Sequence, residues 1–190
     1  MGAEFSTIAA FQQALTEATG ADPVARSAAE ARNGQLTKPP GALGRLEELA
    51  IWYCGWRGDA HARVKAPQVI VFAGNHGVTA RGVSAFPSEV TVQMVENFQH
   101  GGAAINQLAA VAGAKLDVIA LGLGGPTADF TAAAAMDDGG FLTALNAGWT
   151  AVDPEADLLV VGEMGIGNTT SAAALGHAMY GGEAADWVGR

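Results

Sequence analysis

DLLVVGEMGIGNTTSAAAL, Asp157 to Leu175, is the stretch whose reading decides the fold. It opens on a short apolar, β-branched run, Asp157–Val161, the pattern of a strand in a parallel sheet. Glycines at 162, 165 and 167 then permit tight turns and close backbone approach. Asn168, Thr169 and Thr170 are good N-cap or first-turn residues, and an alanine-rich helix is expected to about Met179. Two upstream runs share this form. Gln68–Ala73 (QVIVFA) ends at Gly74 and reads as a strand buried on both faces, and Lys115–Leu121 (KLDVIAL) runs into GLGGPT. Between them, Val90, Met94 and Phe98 share the face of a helix with Pro87 in its first turn. AAINQLAAVAGA makes a second helix, and 141–150 a weaker one. Strands alternating with helices predict an α/β fold built on a mainly parallel sheet flanked by helices. Ligands of such sheets bind outside the C-terminal ends of the strands.

The first 60 residues read differently. Helices are expected over 5–18, 23–33 and 44–56, with a rigid Pro39-Pro40-Gly41 turn before the last. The chain is therefore divided into an N-terminal helical segment, 1–60, and an α/β substrate-binding part, 61–190, within one folding unit. Hydrophobic residues make up 49% and charged residues 15%, an ordered composition. A net charge of −9 disfavours nucleic acid and anionic lipid as partners. The N-terminus lacks the basic start and apolar core of a signal peptide, and no apolar run is long enough for a membrane span. A cytoplasmic protein is expected. Gly2 with Ser6 matches a myristoylation pattern only at chance level. The single cysteine, Cys54, allows no internal disulfide and is expected to be a buried, inert thiol.

Three segments carry chemistry. In the first, amides of Gly165, Ile166, Gly167, Asn168, Thr169 and Thr170 at a helix start are suited to gripping a phosphate. The same glycines also suit an ordinary strand–helix turn, and the residues alone leave both readings open. No Lys follows as in GxxxxGK[ST], which argues against a nucleoside triphosphate. Glu163, read as lying inside this loop, suits either a sugar contact or a cap on a neighbouring amide. The second segment is FAGNHGVTARGVSAFPSEVTVQM. Gly74, Asn75, His76 and Gly77 shape its loop, while Ser84, Phe86, Pro87 and Gln93 suit a flat heteroaromatic ligand. Ordinary core packing is the plain alternative for Phe86. The third, KPPGALGRLE, reads as a helix-entry turn in which Lys38 and Arg45 are the nearby cations. The four histidines show no ligand spacing, so no metal is expected.

Together, Lys38–Ala50, Val71–Ala109 and Val160–Leu175 resemble the signature stretches of the nicotinate-nucleotide:dimethylbenzimidazole phosphoribosyltransferases, in that family's order. The resemblance implies a Rossmann-like domain, a homodimer, no cofactor, and transfer of phosphoribosyl from nicotinate mononucleotide to 5,6-dimethylbenzimidazole. Carried onto this chain, Gly165–Thr170 would hold the 5′-phosphate and Glu163 would be the catalytic carboxylate beside the sugar. Ser84, Phe86, Pro87, Gln93 and Met164 would surround the base. The family's usual Asp is Asn75 here. The resemblance also implies chains about twice as long, whose assigned catalytic base lies beyond Arg190. A sheet incomplete on its C-terminal side and little activity in this stretch alone are therefore expected. The alternatives are a non-catalytic module binding a phosphorylated nucleotide or benzimidazole, or one piece of a split enzyme.

Overall fold

Ile70 and Ala73 are wholly buried in the middle strand of a three-stranded parallel sheet, with Val69 and Val71 nearly so. The computed structural model describes residues 4–189, so Gly2 lies outside it. The strands are β1 (Pro67–Gly74), β2 (Lys115–Leu121) and β3 (Leu158–Met164), in the order β2-β1-β3. Val71 lies opposite Val118 on one side and Gly162 on the other. From β1 the chain moves to β2, then returns across β1 to β3. The strand order therefore reverses between β1 and β3, which opens a crevice at their C-terminal ends.

The described residues form two units. The first comprises residues 4–8 and 66–189. A 3-10 helix (Gly77–Arg81) follows β1, where the sequence suggested only a loop. It is succeeded by α4 (Glu89–Gln99) and α5 (Ala104–Ala112), then α6 (Asp138–Ala151) after β2. Ser88, not Pro87, caps α4, so Pro87 lies just outside the helix rather than in its first turn. Helix α4 packs on β1 and β2, and α5 and α6 pack on β2. At the sheet's N-terminal end Gln68 is 1% exposed. Its amide nitrogen donates to Asp117 Oδ2 (2.7 Å) and to the Ala151 carbonyl (2.9 Å), while its oxygen accepts from Asp153 N–H (2.9 Å). This polar core residue is fully used, as burial requires.

β3 runs three residues further than its β-branched segment, ending at Met164. Glu163 is therefore a strand residue paired in register with Phe72, and not part of a loop as the sequence suggested. The alanine-rich helix is α7 (Asn168–Tyr180). A short helix, which the sequence reading did not anticipate, runs from Ala184 to Trp187 and is α8. Trp187 stacks on Tyr180 and covers Gly176.

The second unit, Ala9–Lys65, contains α2 (Pro23–Gln35) packed on α3 (Arg45–Arg57), preceded by α1, whose helix begins at Ile8 and ends at Glu17. Asp22 caps α2 by accepting from the Val24 and Ala25 amides, with Pro23 in the first turn. Cys54 is a buried free thiol within α3. Glu47 gathers the KPPGALGRLE turn: it binds Lys38 (2.8 Å), the Asn33 side chain (2.8 Å) and the Leu43 amide (3.0 Å). Its carboxyl is pulled down to about 2, chiefly by Lys38, then by Asn33 and Leu43. Arg45 pairs with Glu48. Both cations of this segment are thus engaged with glutamates.

Candidate functional site

A crevice of about 410 Å³ opens where the three strands end. Phe72, Ala73 and Gly74 of β1, Leu121 of β2, and Glu163 and Met164 of β3 form its floor. Its wall is the first two turns of α7. Asn168, Ser171, Ala172 and Leu175 fall at i, i+3, i+4 and i+7 and so share one helix face. No Lys or Arg is among its lining residues. An anion held here would depend on backbone amides and the helix N-terminus.

The turn from β3 to α7 is close-packed. A Cβ on Gly165 would sit 2.3 Å from the Gly74 carbonyl oxygen and 3.0 Å from His76 Nε2, so only glycine fits. Gly167 has φ +86° and occupies the cap position; Asn168, Thr169 and Thr170 form the first helical turn behind it. The amides of this turn are more engaged than the sequence suggested. Ile166 N–H donates to Thr91 Oγ1, Asn168 N–H to the Gly165 carbonyl, and Thr170 N–H to the Gly167 carbonyl. Thr169 N–H donates to Oδ1 of the neighbouring Asn168 (2.7 Å), an acceptor that side-chain rotation can withdraw.

Glu163 accepts a hydrogen bond from the Asn168 side-chain amide. Across the crevice, His76 Nδ1 lies 3.2 Å from Ser171 Oγ. Burial pushes the His76 midpoint below the ordinary histidine value, against the opposing pull of the Glu163 charge. A neutral imidazole and a carboxylate therefore face the same space.

His76 also borders a second cavity of about 570 Å³, lined in part by Asn75, Pro87, Ser88 and Glu89. Asn75 donates to the Leu123 carbonyl (2.9 Å), which leaves its buried Oδ1 without a partner.

The expected site residues are thus distributed unevenly. Glu163, Met164, His76, Gly74, Asn168 and Thr169 meet at the crevice. Gly165, Ile166, Gly167 and Thr170 form the turn behind it, and Asn75, Gly77 and Pro87 border the second cavity. Ser84 caps the Phe86 amide (3.2 Å), and Gln93 is exposed on α4. Phe86 is 63% exposed, which rules out core packing as its role in this chain. Sequence reasoning missed Ser171, Thr79 and Thr91. The α7 spacing could have revealed Ser171; the two threonines bear no local signal, because they meet the turn from other elements.

A phosphoribosyltransferase family model matches residues 18–190. A nicotinate-nucleotide–dimethylbenzimidazole phosphoribosyltransferase from Ruegeria pomeroyi is 71% identical over 183 residues, covering 96% of this chain and 54% of the relative. The protein of that name from Ruegeria sp. TM1040 is 68% identical over 187 residues. The crystal structure of CobT from Thermus thermophilus superposes with a TM-score of 0.80 at 42% identity, over 88% of this chain and 56% of that one. The chain spans about half the length of the curated relatives it matches.

Proposed function

The chain belongs to the phosphoribosyltransferase family whose relatives are named for nicotinate nucleotide and dimethylbenzimidazole, and on that premise we propose that it supplies the nucleotide-binding part of an enzyme making α-ribazole 5′-phosphate. In the reaction, a benzimidazole nitrogen attacks the anomeric carbon of nicotinate mononucleotide. The bond to the pyridinium nitrogen breaks, its electron pair neutralises that nitrogen, and nicotinate leaves. The other benzimidazole N–H gives up its proton to a base, and the anomeric centre inverts. A cationic leaving group needs little acid assistance, and the chemistry requires neither metal nor cofactor.

The observation that carries this reading is the Glu163–Asn168 pair beside the Gly165–Gly167 turn at the switch point of the sheet. Charge develops at the sugar as the glycosidic bond loosens, and a carboxylate fixed by one hydrogen bond is preorganised to stabilise it. The turn and the start of α7 hold the 5′-phosphate, with the Thr169 amide released from Asn168 Oδ1 to a phosphate oxygen. Met164 and the apolar floor receive a base, and Ser84, Phe86, Pro87 and Gln93 serve the acceptor base from the neighbouring loop. A cytoplasmic homodimer is the setting this reading carries.

The test is calorimetry with nicotinate mononucleotide, followed by a turnover assay with dimethylbenzimidazole added. Binding with little turnover is expected, since the resemblance assigns the base to a stretch of the longer relatives that this chain does not span. No binding refutes the reading, and turnover matching a full-length relative refutes the assignment of the base.

A further inference from the structure

Both polar groups of Ile166 are held by hydroxyls from elsewhere in the fold. Its N–H donates to Thr91 Oγ1 at 3.1 Å, and its carbonyl accepts from Thr79 Oγ1 at 3.0 Å. Thr91 lies in α4 and is wholly buried; Thr79 lies in the 3-10 helix after β1. Across a trans peptide the N–H and C=O point in opposite directions. With the Ile166 carbonyl turned to Thr79, the Gly167 N–H is directed away from it. With the Ile166 N–H turned to Thr91, the Gly165 carbonyl is directed away from Thr91, and there it accepts from Asn168 N–H at 3.0 Å. Two hydroxyls thus set both peptide planes around Ile166. They fix the aim of the Gly167 amide and the start of α7. The fit is close: a Cβ on Gly167 would lie 2.8 Å from Thr79 Oγ1.

We propose that Thr79 and Thr91 are positioning residues that hold the Gly165–Gly167 turn ready for a phosphorylated nucleotide, so that binding need not order it. The inference rests on the reading of this turn as the phosphate-holding element. Valine keeps the shape of threonine but replaces the hydroxyl by methyl, so Thr91→Val leaves the part-buried Ile166 N–H without its Thr91 acceptor. Serine restores the oxygen.

The experiment combines calorimetry with nicotinate mononucleotide and amide exchange of the ligand-free chain by NMR. Losing this one hydrogen bond, Thr91→Val should bind about tenfold more weakly and exchange the Ile166 amide about tenfold faster, with β1 amides still protected. Thr91→Ser should behave as wild type in both. Thr79→Val, which leaves the Ile166 N–H paired, should weaken binding without accelerating that exchange, and it carries the test if Thr91→Val does not fold. Wild-type affinity in both valine variants overturns the proposal, as does an unchanged Ile166 exchange rate in Thr91→Val. A wild-type chain that does not bind the nucleotide overturns the phosphate-holding reading itself, a failure distinct from normal binding that the variants leave unaltered.

Discussion

Asn168 Nδ2 donates to Glu163 Oε2 across the glycine turn, while Oδ1 of the same amide accepts from Thr169 N–H. One side chain thus ties the carboxylate to an amide of the first helical turn. A ligand oxygen that takes the Thr169 amide must turn Asn168, and so must disturb Glu163. Asn168→Asp would set a second carboxylate against the first. Two like charges in contact cannot both ionise freely, and an incoming phosphate would meet added repulsion. Affinity for nicotinate mononucleotide should fall about tenfold at pH 7, and the loss should shrink at pH 5 as the pair takes up a proton. Calorimetry at both values checks this; equal affinities at pH 7 would dissolve the coupling.

His76 supplies a second reading of the same space. Burial lowers its midpoint from 6.5, and the Glu163 charge raises it in opposition. Between the folded midpoint and 6.5, the unfolded chain binds a proton that the folded chain does not. Stability gained from keeping His76 neutral is therefore complete above 6.5 and lost as pH falls through that window. Glu163→Gln removes the opposing charge, so the midpoint should move further down. NMR titration of the imidazole measures it, and an upward shift would mean that Glu163 and His76 do not share the crevice.

The sheet was legible because its strands are short β-branched runs ending in glycine, and β2 falls on Lys115–Leu121 as read. The strand end at Met164 was not legible. Gly162 and Glu163 are poor strand formers locally, but pairing with β1 extends the ladder through them. Glu163, Met164 and the glycine turn were found from sequence because they adjoin in the chain. The Thr79 and Thr91 contacts join residues 87 and 75 positions apart, and the Ser171–His76 pair spans 95. No window of sequence holds such pairs; only the crossing of the chain at the β1–β3 boundary brings them together.

Gly165→Ala tests the close approach of β1 and the turn. Its Cβ would fall 2.3 Å from the Gly74 carbonyl oxygen, which is backbone and cannot swing aside. Thermal or urea unfolding should show a loss on the order of 2 kcal/mol or more, typical of overpacking. Nucleotide affinity should fall with it. A chain with wild-type stability would contradict the packing described.

In the helical unit, Glu47 is expected to govern acid sensitivity. Its carboxyl is lowered from 4.5 to about 2 by Lys38, Asn33 and the Leu43 amide. A lowered carboxyl contributes stability that is present above 4.5 and lost as pH falls towards 2. Glu47→Gln should reduce stability at neutral pH and flatten this acid-side slope. Unfolding followed between pH 5 and pH 2.5 by tryptophan fluorescence, Trp52 and Trp56 being in α3, reads the change. An unaltered slope would show that the Lys38–Glu47 pair has no bearing on the folding of this unit.

β3 pairs with β1 along one edge, and among the described residues no strand pairs with the other. Successive strand residues point to opposite faces. Val160 and Val161 are nonetheless both exposed, at 44% and 67%, and Leu159 joins them at 41%. Both faces of this strand are thus partly exposed, and its outer edge presents backbone groups that no described strand pairs, beside apolar side chains. Such an edge recruits other strands, and a single lysine is an effective deterrent because adding a strand would bury its charge. The chain should therefore self-associate as concentration rises, and Val161→Lys should shift that association to about tenfold higher concentration while leaving the helical content unchanged. Sedimentation velocity over a concentration series separates the two cases. If Val161→Lys associates as readily as the wild type, the contact lies elsewhere, and the exposed valines of β3 do not drive it.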